Sequence, residues 1–411
     1  MVTLNPIQQL MARVATYRQS IIELQRQLVA TEAVGPDNRG TGEMEKALLV
    51  QQWLEAMGLE LERIDAPDAR VPGGLRPNLA AVLHGGEGPR IWVVSHLDVV
   101  PPGSAELWSS DPWTLREDGD LIFGRGTQDN NAGLVSSLLG LRALLDLHIS
   151  PPGQVGLLMV GDEETGSAFG LDFVLQARPE LLRADDWIVV PDAGREDASL
   201  IQVAEKSQLW LRVEVRGRQA HASRPQQGVN ALRVGARMIA RLGEVTGRYQ
   251  EEDKMFAPPK STFEPTRIEP GVENVNTVPG RFVFYLDCRI LPHYPFDEVK
   301  ANLVQYFEGI AAEENAQAVV TPVQERPATR PTPKDSPVVV ALRRLVQSVH
   351  GVEPEIGGIG GGTVAAFLRK RGIPAAVWAT VAPTAHQPNE YAKVSNILKD
   401  AQVFALLFAG A

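Results

Sequence analysis

The chain has 411 residues, too many for one small domain and suited to two domains or to one large domain with an insertion. Hydrophobic residues make up 44% and charged residues 22%, which excludes disordered and fibrous classes. Acidic residues outnumber basic ones by 50 to 40, the formal net charge is −10 and no basic run occurs, so nucleic acid and anionic membranes are excluded as expected partners. The N-terminal stretch Met1–Ala30 is helical in pattern and strewn with Gln and Arg, so no signal peptide is expected there. No apolar run approaches the roughly 20 residues of a membrane span. The single cysteine, Cys288, allows neither an internal disulfide nor a thiolate zinc cluster. A soluble cytoplasmic protein is expected.

In chain order, the pattern predicts helices over Ile7–Leu28 and Glu43–Met57, then short apolar strands at Leu79–Leu83 and Ile91–Val94. A helix follows the turn at Asn130–Asn131 and runs to Leu147. Next come a strand at Val155–Val160, a helix near Ala168–Ala177, and strands at Trp187–Val190 and Leu200–Val203. Apolar runs of this length alternating with helices predict an α/β fold with a largely parallel sheet. The pattern changes at Ser207. Trp210–Arg216 alternates as a half-buried strand does, a helix follows at Val229–Leu242, and extended signals recur at Ser261–Ile268 and Arg281–Ile290. A helix near Asp297–Glu313 and a strand near Val319–Gln324 complete the order of a split βαβ (ferredoxin-like) sandwich. The expected organisation is one α/β domain, 1–206 and 327–411, interrupted by an insertion at 207–326.

Five motifs fall at strand ends or in the loops after them, where α/β folds place function. Ser95-His96-Leu97-Asp98 offers an imidazole for a metal and a carboxylate able to hold its other N–H. Gly124-Arg125-Gly126-Thr127-Gln128-Asp129 aims a carboxylate just before a helix, where a plain N-cap would look the same. Gly161-Asp162-Glu163-Glu164-Thr165-Gly166 sets three acids side by side after an apolar strand. A divalent cation relieves that repulsion, although a solvated turn is the bland alternative. Asp192 and His386 each follow a further apolar run, and singly each reads as a turn residue. Together, two histidines and three carboxylates, one of them bridging, would hold two metal ions with three protein ligands each. His221, after the alternating strand of the insertion, reads equally as a surface-loop residue; His84, His148, His293 and His350 receive no role.

With these residues assembled, the chain resembles the dinuclear zinc family of acetylornithine deacetylase, succinyl-diaminopimelate desuccinylase, aminoacylase, carnosinase and carboxypeptidase G. The likeness covers nearly the whole chain in order. It is carried by Ser95–Gly103, Gly124–Asp129, Gly161–Gly166, Gln219–Pro225 and Gly360–Thr363. The resemblance implies His96 and Asp192 on one zinc, Glu164 and His386 on the other, and Asp129 bridging, with cobalt or manganese as possible substitutes. It implies Glu163 as general base and Asp98 as support of His96. The insertion would be a lid and dimerisation domain whose His221 crosses to the partner subunit's site. Asn276, Arg289, Gly362 and Thr363 match positions that hold the substrate's carboxylate end, and a guanidinium fork suits that task.

Two departures touch the pocket. Asn130-Asn131-Ala132-Gly133 stands where the family commonly has Met-Lys-Gly-Gly or Asn-Lys-Gly, and Val364 stands where it often has Asp. The expected activity is hydrolysis of the amide bond of a small substrate with a free carboxylate. In the family that the chain resembles, Asp at the position of Asp192 occurs in many of the peptidases and Glu in the deacylase branches. With Gly360–Thr363, the resemblance therefore implies a dipeptidase or carboxypeptidase-like enzyme rather than an N-acyl-amino-acid deacylase. A non-catalytic binding homologue is the remote third reading.

Overall fold

A computed structural model describes residues 5–411, so the first four residues of the helical pattern read over Met1–Ala30 lie outside the described residues. The chain forms two compact units. The first takes the chain up to Val203 with Thr332–Gly357 and Thr363–Ala411; the second is Ala204–Pro331 with Gly358–Gly362.

The first unit is built on an eight-stranded sheet. Its spatial order is Glu60–Arg63, Leu79–Leu83, Val155–Val160, Ile91–His96, Trp187–Gly194, Ala375–Ala379, Leu200–Glu205, Glu355–Ile359. The four middle strands run parallel to one another. Every residue of Val155–Val160 and of Ile91–His96 is buried, as expected of strands covered on both faces. The flanks differ from a purely parallel sheet. Leu79–Leu83 pairs antiparallel with Val155–Val160, Glu60–Arg63 antiparallel with Leu79–Leu83, and Leu200–Glu205 antiparallel with Ala375–Ala379. Between Arg63 and Leu79 the chain has no crossover α-helix, and a parallel pairing needs one. The strand order among the middle four places the carboxyl ends of Ile91–His96, Val155–Val160, Trp187–Gly194 and Ala375–Ala379 side by side.

Helices Asn131–Asp146 and Val394–Phe408 pack closely because of Gly140, where an added Cβ would lie 2.8 Å from Phe404 Cβ and 3.0 Å from the Ala405 nitrogen. The helix expected over Ile7–Leu28 is two, Pro6–Ala15 and Arg18–Ala30. The break falls where the Thr16 hydroxyl donates to the Arg13 carbonyl (2.7 Å) and the Tyr17 hydroxyl donates to Asp146 (2.6 Å), local and distant bonds that compete with the helical ladder. His350, which receives no role from the sequence, has a side chain only 5% exposed beside Asp400.

The second unit carries a four-stranded antiparallel sheet in the order Thr262–Ile268, Arg281–Ile290, Ser207–Arg216, Gln317–Arg326. Leu209, Leu211, Val213 and Val215 point into one core with period two, against Val234 and Met238 of the helix Ala231–Ala240 and Leu303 and Phe307 of Phe296–Glu313. The intervening Arg212 and Glu214 form ion pairs with each other and with Glu269 and Arg281. A two-strand ladder of Ala220–His221 with Thr277–Val278 is an addition that no sequence pattern announced. Among the described residues no helix is long and apolar enough to cross a membrane.

Candidate metal centre

His96 is the last residue of its strand and is 2% exposed. Its Nδ1 lies 2.9 Å from the carbonyl oxygen of Asp98, so Nδ1 carries the proton that this acceptor requires and Nε2 is the ring nitrogen turned to the acids. That Nε2 faces Asp129 Oδ1 at 2.9 Å and Asp192 Oδ1 at 3.2 Å. The expected bond from His96 to the Asp98 carboxylate is therefore redistributed: that carboxylate stands 3.6 Å from Nδ1. Its two oxygens accept instead from the backbone N–H groups of Glu163 (3.0 Å) and Glu164 (2.9 Å). Asp98 thus supports the histidine through its carbonyl and orients the acidic pair through its side chain.

The turn that presents this pair begins at Asp162, which sits in the left-handed region (φ 61°) at the end of the strand Val155–Val160. Such a backbone needs outside support. Asp162 receives it from the fully buried Arg76, whose Nη1 donates to Oδ1 at 2.9 Å, from the Thr165 hydroxyl, and from the Phe169 N–H at 2.9 Å. Arg76 is in turn paired with buried Glu43. The result sets Glu163 beside His96 and Asp192, and Glu164 beside His96 and Asp129; in each trio one ligand-type atom per residue lies within 4.8 Å of the others.

Asp129 does not cap the following helix; the N-cap position belongs to Asn130. The Asp129 carboxylate instead divides between two imidazoles, Oδ1 toward His96 Nε2 and Oδ2 3.2 Å from His386 Nε2. His386 Nε2 also lies 3.1 Å from Glu164 Oε2. His96, Asp129, Glu163, Glu164, Asp192 and His386 are therefore one constellation, with Asp98 directly behind it. Two residues to which the sequence assigns no role, Asn130 and Glu390, are also built into it. Asn130 donates through Nδ2 to Asp192 Oδ1 (3.0 Å) and to the Pro191 carbonyl (2.7 Å). Glu390, four residues after His386, accepts from backbone N–H groups of the Asp129 loop. A buried carboxylate must find donors, so an acid close behind a candidate ligand was the available signal.

The electrostatics are those of crowded carboxylates. Burial raises the proton affinity of Glu163, and Asp192 and Glu164 add to it; Glu164 is pushed up to about 7 by burial and by Asp129. Asp192 is raised mainly by burial. For His96, burial opposes the charge, but Asp192, Asp129 and Asp98 outweigh it and hold the imidazole well above its ordinary range. His386 is pushed up to about 10 by its bonds to Asp129 and Glu164. Buried acids with two imidazoles at their centre, as hard oxygen and borderline nitrogen donors, fit divalent cations.

The remaining candidates fall in the second unit, apart from Thr363. His221 is exposed, and its Nδ1 accepts from the Ser223 N–H at 3.1 Å, which leaves Nε2–H as an outward donor. Asn276 directly precedes Thr277, the residue opposite His221 in the small ladder, and the Asn276 carbonyl accepts from the Ala222 N–H at 2.8 Å. The Arg289 fork, expected to be open for a substrate carboxylate, is held on its Nε–Nη2 edge by Asp287 (2.7 and 2.9 Å), two residues back on the same face of the strand. Nη1 donates to the Gly360 carbonyl at 3.0 Å, in the glycine-rich segment that includes Gly362. Thr363, in the first unit, is 4% exposed and its hydroxyl accepts from the Ala365 N–H (3.2 Å) at the start of a helix.

The model of peptidase family M20/M25/M40 matches residues 92–409. A metallohydrolase of Methanococcus maripaludis is 35% identical over 405 residues, covering 93% of this chain and 97% of its own. A succinyl-diaminopimelate desuccinylase of Nautilia profundicola is 25% identical over 387 residues, covering 94% and 98%. Among solved structures, a tripeptidase of Staphylococcus aureus superposes with a TM-score of 0.76 at 21% identity, over 96% of this chain and 99% of its own.

Proposed function

The chain belongs to peptidase family M20/M25/M40 and is a metal-dependent hydrolase; from that premise we propose a two-metal amidohydrolase acting on small substrates with a free carboxylate. The observation that carries the count of two is Asp129, whose separate oxygens face separate imidazoles. His96 and Asp192 would hold one ion, Glu164 and His386 the other, and Asp129 both. Zinc suits the donor set, and cobalt or manganese could replace it. When bound, such a pair of cations lowers the pKa of a water between them and polarises a carbonyl.

The protein's own groups then have distinct tasks. Glu163, whose proton affinity burial raises, accepts the proton of the attacking water and returns it to the leaving amine. Asp98 keeps the Glu163–Glu164 turn fixed while Glu163 does so. His221, with Nε2–H directed outward, is the proposed donor to the developing oxyanion, supplied across a homodimer by the insertion acting as lid and dimerisation domain. Asn276, Arg289, Gly362 and Thr363 are proposed at the substrate's carboxylate end. Because Asp287 holds one edge of Arg289, the carboxylate would meet the Nη1 side. A cytoplasmic location completes the reading, in keeping with a buried, unpaired Cys288.

Dipeptidase or carboxypeptidase-like cleavage is the first reading, on the strength of Asp192. The second is N-acyl-amino-acid deacylation, favoured by the desuccinylase relative. A panel of dipeptides against N-acetyl- and N-succinyl-amino acids separates them: the first reading expects the dipeptides to be turned over with the higher kcat/KM. Run on Arg289→Ala, the same panel should show a raised KM confined to substrates with a free carboxylate. Equal losses on carboxylate-blocked substrates would make Arg289 a structural residue held by Asp287.

A further inference from the structure

Two of the proposed ligands, Asp129 and His386, ride on loops rather than on a sheet strand or, like Glu164, on the short turn just after one. Asp129 ends the loop Gly124–Asp129, and His386, with φ 63° and a side chain 54% exposed, lies in the loop between Ala379 and Tyr391. Glu390 ties these loops together. It is 0% exposed, and Oε1 accepts from the N–H groups of Gln128 (2.9 Å) and of Asp129 itself (3.0 Å). Oε2 accepts from the Gly126 N–H (3.1 Å) and from the buried Arg125 guanidinium. A second latch runs beside it: the Gln128 side chain donates to the Thr380 carbonyl (3.1 Å) and accepts from the Ala382 N–H (3.0 Å). Lys46, 1% exposed, adds positive charge near Glu390, Asp98 and Glu43. A carboxylate buried for packing alone would be a poor choice, because burying its charge is costly unless donors surround it. Here three of the donors are backbone groups of the loop that carries the bridging ligand.

We propose that Glu390 is a positioning residue that fixes the separation of Asp129 from His386 and thereby assembles the site formed by His386, Glu164 and Asp129 Oδ2. The inference rests on the two-ion reading above. The other site depends less on it. His96 and Asp192 lie within sheet strands, and Asn130 and the Asp98 carbonyl hold them independently. Loss of the clamp should therefore fall far more heavily on one ion than on the other.

The test is titration of metal-stripped protein with Co²⁺, followed by visible absorption and calorimetry. Wild type should take up two ions. Glu390→Gln, whose amide cannot serve both pairs of donors, should bind the first ion with little change and the second about 10–100-fold more weakly, the usual range for an outer partner of a metal ligand. If Glu390→Gln does not fold, Glu390→Asp, which keeps the charge one methylene short, should show the same selective loss. Unchanged binding of both ions, or equal weakening of both, overturns the role of Glu390. A wild-type protein that saturates with one ion instead overturns the two-ion reading, and this inference with it.

Discussion

The acid-rich centre of the first unit and the His221–Arg289 region of the second solve the placement of charged residues in opposite ways. In the first, His96, Asp98 and Glu390 are at most 2% exposed, and each has a specific partner: a carbonyl, two backbone N–H groups, or an arginine with three backbone N–H groups. In the second, His221 and Asn276 are exposed and held only by neighbours a few residues away or across a two-residue ladder. Burial makes the difference. A buried charge without a partner is expensive, so the partners of the first region are built into the fold and its geometry is preorganised. An exposed histidine needs no such structure, and its task depends on what comes to meet it.

The largest expected effect lies within the buried centre. Glu163→Gln should lower turnover by roughly 10²–10⁴, the contribution of a general base, while metal content stays near the wild-type value. Glu164→Gln should instead weaken one metal site. The two neighbours share a turn and the same Asp98, so a reversed outcome, with metal lost from Glu163→Gln and kept by Glu164→Gln, would show the pair assigned backwards.

A smaller effect tests the exposed region. Glu163→Gln subunits mixed with His221→Ala subunits should regain up to about half the activity per heterodimer, since one of the two sites then has an intact base and an intact partner histidine. No recovery in dimers shown to have exchanged subunits would place His221 outside its partner's site and leave the second region without the function proposed for it.

The same contrast governs what could be read from sequence. The strands Leu79–Leu83, Val155–Val160 and Arg281–Ile290 begin and end where their apolar or alternating runs do, because burial on one or both faces dictates those residues. The acids after Val160 and Val190, and the histidine that ends the run from Ile91, were legible for the same reason. The antiparallel flanks were not, since strand direction depends on connections rather than on composition. Nor was the task of Asp98, because a carboxylate two residues after a histidine has no local feature that predicts it will turn to Glu163 and Glu164. The Asp287 grip on Arg289 had a visible cue, an acid and a base at i and i+2 on one face of a strand. That grip occupies the Nε–Nη2 edge and leaves the Nη1 side for the substrate role proposed above.

The central claim is that Asp129 joins two sites rather than lining one. Elemental analysis of the purified protein, alongside activity before and after exhaustive chelation, tests it most directly. The account predicts about two zinc-type ions per chain and loss of activity when they are removed, with recovery on their return. Full activity in protein shown to be free of metal would contradict it.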